Sequence, residues 1–262
     1  MLTRDQLDVI RGTGVTMGDM SEEPTPDGVP ERLVQATIKL LAEQGPSAIK
    51  ARAVAAEAGM STMVVYSHFG GIPELIRAVV DEGFLELERA FSALPVTDDP
   101  IAELFSMALI TREMARANPH LYDLMFGLST RATYRPTPGK DVRLSGHLPA
   151  FRAAYVHVTD ACIRLMETGR IGPQDPAVVA AALWSYVHGY VSLELGDHFA
   201  DFEDPVAQVM LPMGVTLCIG LGDAPDRAMA SHEAVLGLSR REEKPAARAG
   251  RSARAPRSRA RG

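Results

Sequence analysis

The sequence predicts an all-α fold, in which an N-terminal three-helix helix-turn-helix domain precedes a larger C-terminal helical domain. Three observations carry this. Apolar residues recur every three or four positions between Gly and Pro punctuation, the Val/Ile/Thr alternation of strands is missing, and three short helical patterns follow one another near the N-terminus with a Gly-containing turn between the last two. With 262 residues, 46% hydrophobic and 23% charged, the chain is long enough to bury a sizeable core. No apolar run approaches the roughly 20 residues of a bilayer span, and the start lacks a secretory leader pattern. The expected location is therefore the cytoplasm, with no membrane partner. Cys162 and Cys218 are the only cysteines and sit among apolar residues, which excludes a disulfide scaffold and a Cys-ligated zinc site.

The first helix is expected from Pro30 to Gln44, opened by a proline and stopped by Gly45, with Leu33, Ala36, Thr37, Leu40 and Leu41 as its buried stripe. The second covers Ala51 to Ala58 with Val54 and Ala55 inward. After Gly59 and Met60, Ser61 is placed to cap a third helix, Thr62 to Phe69. A linking helix follows from Pro73 to Ala93, its apolar period running from Leu75 to Phe91. Further helices are expected at Pro100–Ala117, Leu121–Leu128, Pro149–Thr168, Pro176–Gly196 and Pro205–Gly220, with a long flexible loop from Arg131 to Gly146.

Charge is unevenly spread. From Arg240 to Gly262 nine Lys/Arg face only Glu242 and Glu243, a balance of +7, whereas residues 1–239 hold 18 cations against 31 acids, a balance of −13. Residues 1–28 read as a flexible acidic arm of −4, interrupted by Gly and Pro. Residues 223–262 read as a C-terminal segment ending in a basic tail too poor in large apolar residues to fold alone.

Gly45, Val54-Ala55, Ala58-Gly59-Met60-Ser61, Val65-Tyr66, His68-Phe69 and Glu74-Leu75 form a spaced set that resembles the DNA-binding domain of the TetR/AcrR family over Val29–Leu75. The resemblance implies a homodimeric transcriptional regulator: a DNA reader with its linking helix (29–94) and a ligand-binding and dimerisation domain (95–222). With Val65 and Phe69 turned to the core, Thr62, Met63, Val64, Tyr66, Ser67 and His68 fall on or near the outer face of the third helix. There Tyr66 and His68 suit phosphates, and Thr62, Met63 and Ser67 suit base edges. Ser61, Lys50 and Arg52 complete the expected DNA contacts, Arg52 on the family pattern. Two positions depart from that pattern: Ile72 stands where a phosphate-binding Lys is usual, and Lys50 where a capping Ser or Thr is usual. Over Val29–Leu75 four cations balance four acids, so the reader is neutral.

Trp184-Ser185-Tyr186-Val187-His188-Gly189 resembles the Trp-x-x-x-His-Gly signature of one class of TetR-type C-terminal domains, abbreviated WHG. Trp184 and His188, one turn apart, join Met125, Phe126, Phe151, Tyr155 and Met166 as expected contacts for a small apolar effector, since Met and aromatic side chains line adaptable sites; each also suits an ordinary core. Met107 and Met114 belong to the same group. Ala182, Ser185, Gly189 and Ser192 form a stripe of small residues, and with Val206, Met210, Met213 and Leu217 they form the expected dimer interface. Glu194, Asp197, His198 and Asp201 have a spacing that fits a metal, but they read better as a solvated helix end. No cofactor is expected, and no recognised catalytic motif occurs. The expected function is a ligand-responsive repressor binding a palindromic operator. The alternative is a helical small-molecule-binding or interaction protein that has lost operator binding.

Overall fold

A computed structural model describes residues 28–126 and 148–242. The acidic arm (apart from Gly28), the Arg131–Gly146 loop and the basic tail from residue 243 onward lie outside the described residues, as do the last two positions of the helix expected over Leu121–Leu128. Among the described residues there are ten α-helices and no strand: α1 (Val29–Gln44), α2 (Ala51–Glu57), α3 (Thr62–Phe69), α4 (Ile72–Ser92), α5 (Pro100–Ala117), α6 (Pro119–Phe126), α7 (Pro149–Glu167), α8 (Pro176–Leu195), α9 (Leu211–Leu221) and α10 (Pro225–Glu242).

Local chemistry explains most boundaries. Prolines open α1, α4, α5, α7 and α8, where the missing N–H has no intrahelical partner to lose. Asp99 caps α5, its Oδ1 accepting from the Ala102 N–H at 3.2 Å, and Asp175 caps α8 by accepting from Ala177 N–H at 2.9 Å. Gly70 ends α3 in the left-handed region at φ 72°, which a side chain would strain.

Two differences from the sequence expectation have physical causes. The helix expected from Pro205 begins instead as a π-turn over Val206–Met210, with the Leu211 N–H bonded to the Val206 carbonyl. Pro212 cannot donate to the carbonyl four residues back and its ring crowds it, so the backbone widens upstream before α9 proceeds. α10 was not expected at all. Pro225 and Asp226 begin it, and it buries Ala228, Ser231, His232 and Val235, a helical period in which two of four members are polar.

Two cores result. Leu33, Leu41, Val54, Val65, Leu75 and Val79 lie in the N-terminal one, and Phe105, Ala161, Leu165, Val187 and Val191 lie in the C-terminal one. α4 belongs to both: its Leu75 to Phe84 stretch packs in the first, and Leu87 and Phe91 in the second. α6 is divided likewise, with Leu121, Leu124 and Met125 in the N-terminal core and Tyr122 in the C-terminal one. α4 and α6 thus have buried residues in both cores.

Candidate nucleic-acid interface and effector cavity

α3 is held from beneath. Val65 is fully buried, Phe69 and Val64 pack against the N-terminal core, and the Arg32 guanidinium donates to the Ala58 carbonyl at 2.8 Å, tying α1 to the end of α2. On the outer side Met63 is 73% and Tyr66 52% exposed, with Ser61, Ser67 and His68 also exposed and Thr62 half-buried. Val64 departs from the expected outward set because its apolar side chain turns toward the core. The Ser61 hydroxyl makes no cap to α3, and Ser67 Oγ bonds the Val64 carbonyl at 3.1 Å. Lys50 and Arg52 are exposed at the start of α2, whereas Lys39 is paired with Glu57 at 2.7 Å. Ile72 packs half-buried against the N-terminal core, so this position anchors α4 and offers no cation.

In the C-terminal domain the aromatic residues meet in a continuous cluster. The His188 ring lies 4.4 Å from Trp184 and 4.2 Å from Phe126, and Trp184 stands edge-on to Tyr155 at 5.1 Å and Phe151 at 5.9 Å. Phe84 of α4 reaches the same cluster through Phe126 and Phe151. His188 Nδ1 is 2.6 Å from the Tyr122 hydroxyl, and Nε2 is buried with no hydrogen-bond partner among the described residues. Burial pushes the His188 pKa down to about 3 and that of Tyr122 upward, so both are neutral at ordinary pH.

Beside this cluster is an apolar cavity of about 40 Å³ between α5, α7, α8, α9 and α10, bordered by Trp184, Phe105, Met107, Thr111, Tyr186 and His232 among others. Of the expected effector residues Trp184 and Met107 border it; Phe126, Phe151, Tyr155 and His188 join Trp184 in the ring cluster. Met125 is fully buried in the N-terminal core, and Met166 packs half-buried elsewhere against the C-terminal one. Helical spacing shows that a Met is inward but not whether space remains beside it. His232 was missed because its helix was missed.

The small-residue stripe of α8 faces outward. Ser185 and Gly189 are exposed, and a side chain at Gly189 would meet nothing within 4 Å. Ala182 and Ser192 are half-buried, the Ser192 hydroxyl donating to the His188 carbonyl at 2.7 Å. Met213 on α9 is 48% exposed. Met210 is a correction to the expected interface: it is 0% exposed and belongs to the protomer's own core, where the π-turn points it inward, and Val206 and Leu217 pack partly there too. Glu194 is held by Arg112 at 2.7 Å, and no metal-binding group of three occurs among the described residues. No helix there is long and apolar enough to cross a membrane.

Two family models match. Residues 33–79 match that of the bacterial regulatory proteins of the tetR family, and residues 104–213 match a tetracyclin repressor-like C-terminal domain. No curated protein matches. Among solved structures, a protein of unknown function from Rhodococcus sp. RHA1 is 24% identical with a TM-score of 0.62, the alignment covering 77% of this chain and 100% of that one. RolR without ligand is 15% identical with a TM-score of 0.56 over 77% of this chain and 95% of that one. RolR in complex with resorcinol gives the same identity and score over 78% and 92%. At these identities the likeness concerns the fold. On the two family matches, the chain carries a TetR-family N-terminal DNA-binding domain followed by a tetracycline-repressor-like C-terminal domain.

Proposed function

We propose that the protein is a homodimeric, ligand-responsive transcriptional repressor that acts in the cytoplasm. The observation that carries this is the outward face of α3, where Met63, Tyr66, Ser67 and His68 are exposed on a helix anchored by Val65. Such a face fits the major groove, with Tyr66 and His68 toward phosphates and the smaller groups toward base edges. Lys50 and Arg52 add phosphate contacts from α2. The Trp-x-x-x-His-Gly segment supports a C-terminal half of the WHG class, with Trp184 at the wall of the effector cavity. A small apolar effector enlarges that cavity and, through α4 and α6, favours a reader spacing that no longer fits the operator; equal affinity for both spacings would shift nothing.

Tyr66→Ala is expected to weaken operator binding at least tenfold, about 1.4 kcal/mol, with dimerisation unchanged. A gel shift with DNA flanking the protein's own gene measures it, and the footprint should show half-sites roughly 34–36 Å or somewhat further apart. A folded variant with wild-type affinity removes α3 from the interface.

Dimerisation is assigned to the exposed faces of α8 and α9, through Ala182, Ser185, Gly189, Ser192 and Met213. Gly189→Leu tests it cleanly, because the added side chain meets open space within the protomer. Against a second copy it overpacks the contact and is expected to cost ~1–3 kcal/mol of association. Sedimentation equilibrium showing an unchanged dimer constant excludes this stretch of α8.

A further inference from the structure

The cavity beneath α10 has a polar end whose hydrogen-bonding sense is fixed. His232 is only 3% exposed, and its Nδ1 lies 2.8 Å from the Ala228 carbonyl. A carbonyl can only accept, so Nδ1 carries the proton and, in the neutral ring, Nε2 is left with a lone pair. Burial pushes the His232 pKa down, in keeping with a neutral ring. The hydrogen bond that the His232 ring makes is the one at Nδ1, and the ring borders the cavity. Nε2 sits opposite Gly214, where a Cβ would be 2.7 Å from Nε2 and 3.1 Å from the Tyr186 hydroxyl oxygen. Glycine keeps this end of the cavity open.

The surrounding wall does not supply the missing proton from its hydroxyls. Thr111 Oγ1 donates to the Met107 carbonyl at 2.9 Å, and the Tyr186 hydroxyl donates to the Met210 carbonyl, which the π-turn presents. The Cys218 thiol, its pKa raised by burial to about 12, is a weak donor at most. The imidazole is also held in place: Phe105 packs on it at 4.6 Å, and the preceding Ser231 is fixed by Arg170 and Asp99 at 3.0 Å each. What is left is a preorganised, buried acceptor at the end of an apolar cavity.

We infer that the effector is an uncharged, largely apolar molecule carrying one hydrogen-bond donor, a hydroxyl or N–H, which it gives to His232 Nε2. This rests on the effector reading above and goes beyond it in naming the ligand chemistry. A carboxylate lacks the proton that Nε2 needs, and a plain hydrocarbon leaves Nε2 unpaired. The present 40 Å³ takes the donor group and little more, so the body of the ligand displaces flexible neighbours such as Met107.

The test compares cyclohexanol with cyclohexanone, which share ring and oxygen while only the alcohol donates. Calorimetric titration of the full chain without DNA is expected to give at least tenfold tighter binding of the alcohol, and His232→Phe to abolish that difference. Equal affinities, preference for the ketone, or binding of neither up to their solubility limits overturns the inference on the wild-type protein alone. A preference that survives in a folded His232→Phe variant overturns the role of Nε2. Operator binding is measured separately. Binding to operator DNA without alcohol preference therefore sinks only the donor assignment, and alcohol preference without operator binding sinks only the regulator reading.

Discussion

Replacing Arg170 with Ala is expected to lower stability by about 3–5 kcal/mol, because it strands a carboxylate in the interior. The α7 helix ends in a turn at Gly169, and Arg170 N–H closes it by bonding the Leu165 carbonyl at 2.9 Å, which aims the side chain under α10. There the guanidinium binds Asp223 in a fork, Nε to Oδ1 at 3.0 Å and a terminal nitrogen to Oδ2 at 2.7 Å. The same group reaches Asp99, the cap of α5, at 3.0 Å and Ser231 Oγ at 3.0 Å. The Arg170 side chain is 5% and that of Asp223 0% exposed, so water cannot take over once the cation is gone. Thermal unfolding should shift down by roughly 2–4 °C per kcal/mol for a chain of this size. Replacing both partners, Arg170→Met with Asp223→Leu, should recover much of the loss, since an apolar pair leaves no uncompensated charge. A single variant that melts with the wild type would show that this network does not hold α10 down.

That network also shows why α10 and the cavity were hidden in the sequence. Its buried face is made by Ala228, Ser231, His232 and Val235, and Ser231 is satisfied by partners 61 and 132 residues away in the chain. A search for apolar periods sees only two small hydrophobes next to a basic segment. The N-terminal domain is the opposite case. α3 falls at Thr62–Phe69 as expected, because Gly59 and Gly70 mark its surroundings and Val65 has to face in. Inward-facing residues elsewhere were legible, but not their roles. Met125 fills the space beside Gly83 and Met210 fills the space under the π-turn, and nothing in helical spacing separates such positions from the wall of a cavity.

Deleting residues 243–262 is expected to reduce DNA affinity strongly and without regard to sequence. The segment carries Lys244, Arg248, Arg251, Arg254, Arg257, Arg259 and Arg261 against Glu243, while the reader over Val29–Leu75 has no net charge of its own. Ile72 adds to the shortfall, since it packs inward where a cation would meet phosphate. Each phosphate neutralised releases counterions and contributes roughly 0.9 to the slope of log affinity against log salt. If three cations per chain contact the duplex, a dimer loses roughly 5 from that slope on deletion, equivalent to about a thousandfold change in relative affinity between 50 and 200 mM salt. Duplex DNA carries about one charge per 1.7 Å of axis, which makes it a stronger attractor for these arginines than the −13 spread over residues 1–239. Operator and random DNA should therefore weaken by similar factors in a salt titration, leaving their ratio nearly intact. An unchanged slope would falsify the DNA contact, and tighter binding by the shortened chain would mean that the segment competes with DNA for the acidic body.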